Sequence, residues 1–406
     1  MVNSSQKSKC DTAQLLDVIH HPHDKEQTLE VLTTFISNKS YVGVARKLDE
    51  GDVVKLVDVI DQAIGTDDWD KSRKSSLLRA LGSICGATAI LPHTTILSDG
   101  LTKSGEIAVA SGGFTDTWRG QLKTIPVSLK AFRTYPSQDL KEVKKILWKE
   151  VVTWKRLSHK NVLRFYGVDR TIFQLALVYD WARSGNITQY LGSHPNASRT
   201  RLLREVAEGL CYLHSYGVVH GDLKGTNVLI SPQGEACLSD YGLMPIQSNH
   251  AFMEAATPGV VGISRWLAPE LIDPPRKKGY RQPAATEQAD IFAFAMLVIE
   301  IFTGELPFGK VRHETAILMI VRGQRPEKPH DVESRGLTPE IWKFNQKCWH
   351  QSPTKRPNIQ SVLNAWEGFD STERLRSTAS DAHVNYREKH YLPPSKPKRG
   401  RFCGLF

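Results

Sequence analysis

The period of the apolar residues changes once between about residues 101 and 370, and that change limits the folds open to the chain. IAVASGGFTDTWRGQL (107–122) and TIPVSLKAFR (124–133) read as strands. A helical stretch, DLKEVKKILWKEVVTWKRL (139–157), and another apolar strand, LALVYDW (175–181), come next. From there the pattern is helical, as in RTRLLREVAEGLCYLHSY (199–216) and the apolar EQADIFAFAMLVIEIF (287–302). Strands first and helices later predict a bilobal α+β arrangement with a cleft between the lobes.

The longest apolar run, Ile291 to Ile299, sits between Asp290 and Glu300 and is too short to span a bilayer, so it reads as a buried helix. MVNSSQKSKC at the N-terminus has no apolar h-region and does not read as a secretory signal. Six cysteines at 10, 85, 211, 237, 348 and 403 form no CxxC pair. That scatter predicts a reducing, cytoplasmic setting with neither a disulfide framework nor a zinc site.

Flanking segments differ in kind. Residues 1–95 are expected to form a separate helical domain. Val53, Leu56, Val57, Ile60 and Ile64 fall on one helical face, with Asp52 as the expected N-cap. Leu77, Leu78, Leu81, Ile84 and Cys85 continue the pattern until Pro92 ends it. No acid–base or ligand cluster appears there, so a structural role or a protein partner is expected. Residues 371–406 carry eight Lys or Arg against three Asp or Glu, half of the net charge of +10. PPSKPKRGR (393–401) forbids a helix, and disorder is expected for this tail. A nucleic-acid protein would more often show a basic face with interleaved aromatics, so no nucleic-acid partner is predicted.

The chemistry concentrates in VVHGDLKGTNVLI (218–230), where two apolar runs, read as short strands, bracket His220, Asp222, Lys224 and Asn227. His220-Gly221-Asp222-Leu223 with Asn227 resembles the catalytic loop H-R-D-L-x-x-x-N of protein kinases. Companion motifs follow in order. Val127-Ser128-Leu129-Lys130 resembles V-A-I-K, Glu150 stands where the lysine's acidic partner would, and Ser239-Asp240-Tyr241-Gly242 looks like D-F-G. Ala268-Pro269-Glu270, Asp290, Cys348-Trp349 and Arg356-Pro357 match the helical lobe. RWLAPE and CWHQSPTKRP resemble the tyrosine-kinase-like branch, and DLKGTN its Ser/Thr-specific members. The layout resembles kinases abundant in mushroom-forming fungi.

That resemblance covers about residues 101–370, within a kinase domain expected over 96–370. It implies an N-lobe of antiparallel sheet plus one helix, a helical C-lobe, and the use of ATP and Mg²⁺ on a protein substrate. Lys130 would hold the α- and β-phosphates and Glu150 would keep it aimed. Asp240 and Asn227 would supply oxygen ligands to Mg²⁺. Asp222 would accept or orient the hydroxyl proton, and Lys224 would stabilise charge on the transferring group. Ala110, Gly112, Gly113 and Val127 would lie against the nucleotide. His220 is expected to brace the loop, and Arg356 with Glu270 to form a buried structural pair.

Three departures stand out. The glycine-rich loop carries Ala110 and Thr115 at two glycine positions, which loosens the grip on phosphate, and Thr117 replaces the valine over adenine. Gly221 replaces the arginine that in many relatives reads an activation-loop phosphate, so activity is expected not to depend on that contact. Ile263 removes a threonine hydroxyl that would support the catalytic loop. The alternative reading is therefore a catalytically weak or inactive pseudokinase acting as a signalling scaffold. Finally, Cys403-Gly404-Leu405-Phe406 matches C-a-a-X, behind a basic run from Arg387 to Arg401. Prenylation at Cys403 with that run would attach the protein to the cytoplasmic face of a membrane.

Overall fold

The computed structural model describes residues 12–21, 24–65, 71–112, 115–133, 140–244, 265–274, 284–330 and 332–389. Five helices open the chain: α1 (Thr12–His20), α2 (Lys25–Ser37), α3 (Tyr41–Ala45), α4 (Glu50–Ile64) and α5 (Lys71–Thr88). Along α4 the predicted face of Val53, Leu56, Val57, Ile60 and Ile64 is buried. The cap differs from expectation: Asp49, not Asp52, is the N-cap, and its carboxylate accepts from the Asp52 amide at 2.8 Å. A capping carboxylate must lie just outside the helix to reach back to the third amide, and Asp52 is already inside. α5 stops at Thr88, and Ala89 takes a left-handed φ of 61° three residues before Pro92.

Next comes the sheet. Its strands are β1 (Leu101–Ser104), β2 (Ala110–Ser111), β3 (Thr115–Leu122), β4 (Ile125–Phe132), β5 (Phe165–Asp169) and β6 (Ala176–Asp180). They run in the order β1-β3-β4-β6-β5, with β2 on β3, all antiparallel. α6 (Leu140–Trp154) lies between β4 and β5 in the chain. The sequence reading missed β5 and overextended β2, because Phe165 to Asp169 holds too few residues to show a period.

Alternation along β4 sends Val127, Leu129 and Ala131 into a small core with Ala176 and Val178. Phe132, two residues from Lys130, joins the main core on the opposite face.

The second lobe holds α7 (Ile187–Ser193), α8 (Arg199–Ser215), a hairpin of β7 (Val228–Ile230) and β8 (Ala236–Leu238), and then five further helices. These are α9 (Pro269–Ile272), α10 (Glu287–Thr303), α11 (His313–Val321), α12 (Pro339–Cys348) and α13 (Ile359–Lys389). α10 is buried from Ala289 to Phe302, as its apolar run requires, and stops where Gly304 takes a φ of 75°. Val218-Val219, read as a strand, forms none; β7 pairs with β8 instead. No described helix is long and apolar enough to cross a membrane.

Helix α13 runs past residue 370 to Lys389. Its continuation is anchored: Glu373 accepts from Ser198 Oγ at 2.7 Å and Arg374 pairs with Asp370 at 2.6 Å. The stretch also contains neither proline nor glycine. At the other end, buried residues of α4 and α5 share one continuous core with α6.

Candidate active site

The catalytic-loop residues meet where α8, α10 and the β7–β8 hairpin converge. Asp290, at the start of α10 and 1 % exposed, accepts the backbone N–H groups of His220 and Gly221 and also His214 Nε2, each at 2.8 Å. Hydrogen bonds to a buried charge are worth about 1.5–3 kcal/mol each, so one carboxylate fixes the loop's entry. His220 is fully buried, and burial depresses its pKa against the pull of Asp290 and Asp222. Its Nδ1 accepts from the Asp222 amide at 3.3 Å, a bracing role as expected. At the other end of the loop, Glu300 Oε2 accepts from the Gly225 amide at 2.9 Å.

Between those anchors stand the reactive groups. Asp222 Oδ2 accepts from Lys224 Nζ at 2.7 Å and from Asn227 Nδ2 at 3.0 Å. Asn227 Nδ2 also donates to the Asp222 carbonyl at 2.7 Å, so its Oδ1 is the oxygen left to offer a cation. The hairpin closes the distance to the next motif, because Ser239 donates its amide to Asn227 O at 2.9 Å. Asp240 follows with a left-handed φ of 60°, a sparsely populated conformation of the kind that clusters at functional turns. Gly242 N then returns to His220 O at 3.0 Å, tying this turn to the catalytic loop.

Lys130 reaches into the same cluster from β4 and pairs with Asp240 Oδ1. The strand register explains its company: Ala110 opposes Thr117, Thr117 opposes Lys130, and Lys130 opposes Leu177. Cross-strand partners share a face, so Ala110 and Thr117 lie on the Lys130 side of the sheet. Val127 does not. It is fully buried in the small core on the other face, and Ser128 is the residue that shares the Lys130 face. The period-two rule applied backwards from Lys130 would have found it. Ser128 Oγ donates to Asp180 O at 3.2 Å.

Glu150 departs from its expected pairing. Among the described residues no ion pair joins it to Lys130; it lies half-buried on α6, where burial raises its carboxyl pKa against the pull of Lys149. Gly112 donates its N–H to Thr115 O at 2.8 Å, and its carbonyl accepts from Arg133. Gly113, Ile263 and Cys403 lie outside the described residues.

Gly221 is required by shape as well as being unable to read a phosphate. Its φ is 79°, and a Cβ there would stand 2.9 Å from Met244 Cβ. Arg356 and Glu270 form the expected pair, bidentate at 2.7 and 2.8 Å. A separate groove of about 1400 Å³, lined by Ser198, Arg335 and Glu373 among others, opens in the helical lobe and contains none of the reactive groups.

As a donor set, Asp240 carboxylate and Asn227 carbonyl oxygen are hard ligands suited to Mg²⁺, which usually takes one or two carboxylates plus substrate phosphates. Among the described residues no group of three or more His, Cys, Asp or Glu is arranged to hold a metal ion. A lysine, an acid–amide–lysine loop and a metal-type acid held between a sheet lobe and a helical lobe define the protein kinase architecture.

The comparisons agree. The family model for protein tyrosine and serine/threonine kinases matches residues 105–365. The chain belongs to that family. It is 29% identical over 263 residues to serine/threonine-protein kinase STY17 of Arabidopsis thaliana, covering 64% of this chain and 43% of that protein. It is 27% identical over 269 residues to serine/threonine/tyrosine-protein kinase HT1 of the same plant, covering 64% and 65%. A mitogen-activated protein kinase kinase kinase, mkh1, from Cytospora mali is 30% identical over 227 residues, 55% of this chain and 12% of that protein. The chain thus spans less than two thirds of these relatives.

Proposed function

We propose that the protein transfers the γ-phosphoryl group of Mg·ATP to Ser or Thr hydroxyls of protein substrates. The observation that carries this reading is the convergence of Asp222, Lys224, Asn227, Asp240 and Lys130 from three separated segments into one hydrogen-bonded cluster. Mg·ATP, when bound, supplies the electrophile and neutralises its charge. Asp222 orients the incoming hydroxyl and receives its proton on the carboxylate whose Oδ2 is held by Lys224 and Asn227. Lys224 places positive charge beside that oxygen. Asn227 Oδ1 and the Asp240 carboxylate are the residues that would hold the metal. Lys130 now occupies Asp240, so it must let go of that carboxylate to serve the phosphates. Glu150 is the acid that the family motif assigns to receive it.

Autophosphorylation and a Ser/Thr peptide panel test the reading. Asp222→Asn should abolish transfer while leaving Mg·ATP binding within a few-fold of wild type. Equal activity in wild type and variant would sink it. The scaffold alternative is favoured by one observation, the separation of Lys130 from Glu150. Mg·ATP binding without transfer by the wild type would establish it.

The basic tail extends the proposal. C-a-a-X at Cys403 behind six basic residues supports geranylgeranylation and attachment to an anionic cytoplasmic membrane surface. Metabolic labelling with a prenyl precursor, compared between wild type and Cys403→Ser, decides it; equal label in both removes the idea.

A further inference from the structure

We propose that the helical leader is the positioning element for Glu150, a role that rests on the kinase reading and deepens it. Helix α5 lies against α6 so closely that no side chain fits at two places. A Cβ on Gly82 would stand 2.6 Å from Lys149 O, and one on Gly86 would stand 2.9 Å from Lys145 O. The pairing of 82 with 149 and 86 with 145 makes the helices antiparallel, one turn against one turn. Glu150 is the residue after the tighter contact.

Three further links join the same two parts. Trp148, 1 % exposed, donates Nε1 to Ala89 O at 3.0 Å, where the left-handed Ala89 ends the leader. Arg156, just after α6, donates Nη2 to Asp61 Oδ1 at 2.5 Å and Nη1 to Val152 O at 2.7 Å. Asp61 also accepts from Thr94 Oγ1 at 2.7 Å, so one buried carboxylate ties α4, the connector and the end of α6 together. Leu81, Ile84 and Cys85 of α5 share a core with Leu147, Val151 and Val152 of α6.

The opposite side of α6 touches the metal-binding turn. Trp154 meets Tyr241 and Phe165 edge-on, with ring centroids 5.9 Å apart in each case. A Cβ on Gly242 would stand 2.9 Å from the Trp154 ring. Helix α6 is therefore clamped between the leader and the turn that carries Asp240. Closely packed elements move as units, so a shift at the α5 seam is passed to Glu150 and to Asp240. Gly82, Gly86, Asp61, Trp148 and Arg156 are positioning residues; none touches the reacting atoms.

The test uses the full chain and four variants: Asp61→Arg, Arg156→Asp, the charge-swapped pair together, and the milder Gly86→Ala. Hydrogen exchange of the α6 amides and kcat per folded molecule are measured on each. The single variants should speed α6 exchange and lower kcat by about tenfold. The swapped pair should recover most of both. Unchanged exchange in every variant overturns the proposal. So does faster exchange with unaltered kcat, which would make the leader a stability element alone. Should the wild type show no transfer at all, the kinase reading fails, and the leader is judged by exchange together with Mg·ATP affinity. Faster exchange with weakened affinity supports it there, and unaltered affinity overturns it.

Discussion

Glu300 offers the sharpest quantitative test of the packing around the catalytic loop. It lies on α10, is 4 % exposed, and accepts the Gly225 amide and the Trp266 indole N–H on one oxygen, each at 2.9 Å. Burial outweighs those two hydrogen bonds and raises its pKa from 4.5 to about 7. The folded protein therefore keeps a proton that the unfolded chain has already released. Stability from this group is fully present below about pH 4.5 and is lost as the pH rises through about 7. Converted at 1.36 kcal/mol per unit, the loss is on the order of 3 kcal/mol. Glu300→Gln keeps the shape and an oxygen for both donors but cannot titrate. Chemical denaturation of both proteins from pH 4 to pH 9 removes every titration they share. The two should match near pH 4.5, and the variant should gain as the pH rises through about 7, reaching an advantage on the order of 3 kcal/mol that then holds. A difference that stays flat across this range would refute the burial argument.

Other outcomes follow from the same contacts. Arg356→Met strands Glu270 without its bidentate partner and should cost about 3–5 kcal/mol by denaturant titration. Gly221→Ala must adopt a left-handed φ and displace Met244, so a loss of at least about 1–2 kcal/mol is expected, with a smaller loss for Gly221→Asn. Burial pushes the thiols of Cys237 and Cys348 up to about 12, so at pH 8 a thiol reagent should reach them only at the rate of unfolding.

Much of the site was legible because its chemistry needs particular residue types in a fixed order. Asp222, Lys224, Asn227 and Asp240 were singled out by their resemblance to kinase motifs, and the structure brings them together through one short hairpin. Val127 was misplaced because a four-residue motif names neighbours, whereas a strand sends neighbours to opposite faces. The cap of α4 was misread because two acids three residues apart, Asp49 and Asp52, both satisfy the local rule, and only the helix start distinguishes them. The tail was read from its prolines, which begin at Pro393, and the helix stops short of them at Lys389.

Periodicity in the chain was enough to indicate two lobes and most of their elements, because helix and strand periods act over a few residues, and the motif resemblance marked the reactive side chains. Three things were decided only in three dimensions: the seam of Gly82 and Gly86 against α6, the choice of Lys130 to pair with Asp240 rather than Glu150, and the clash that forbids a side chain at 221. Each depends on distances between segments dozens of residues apart. Such distances arise when the whole core packs to a single density, and no short window of sequence contains them.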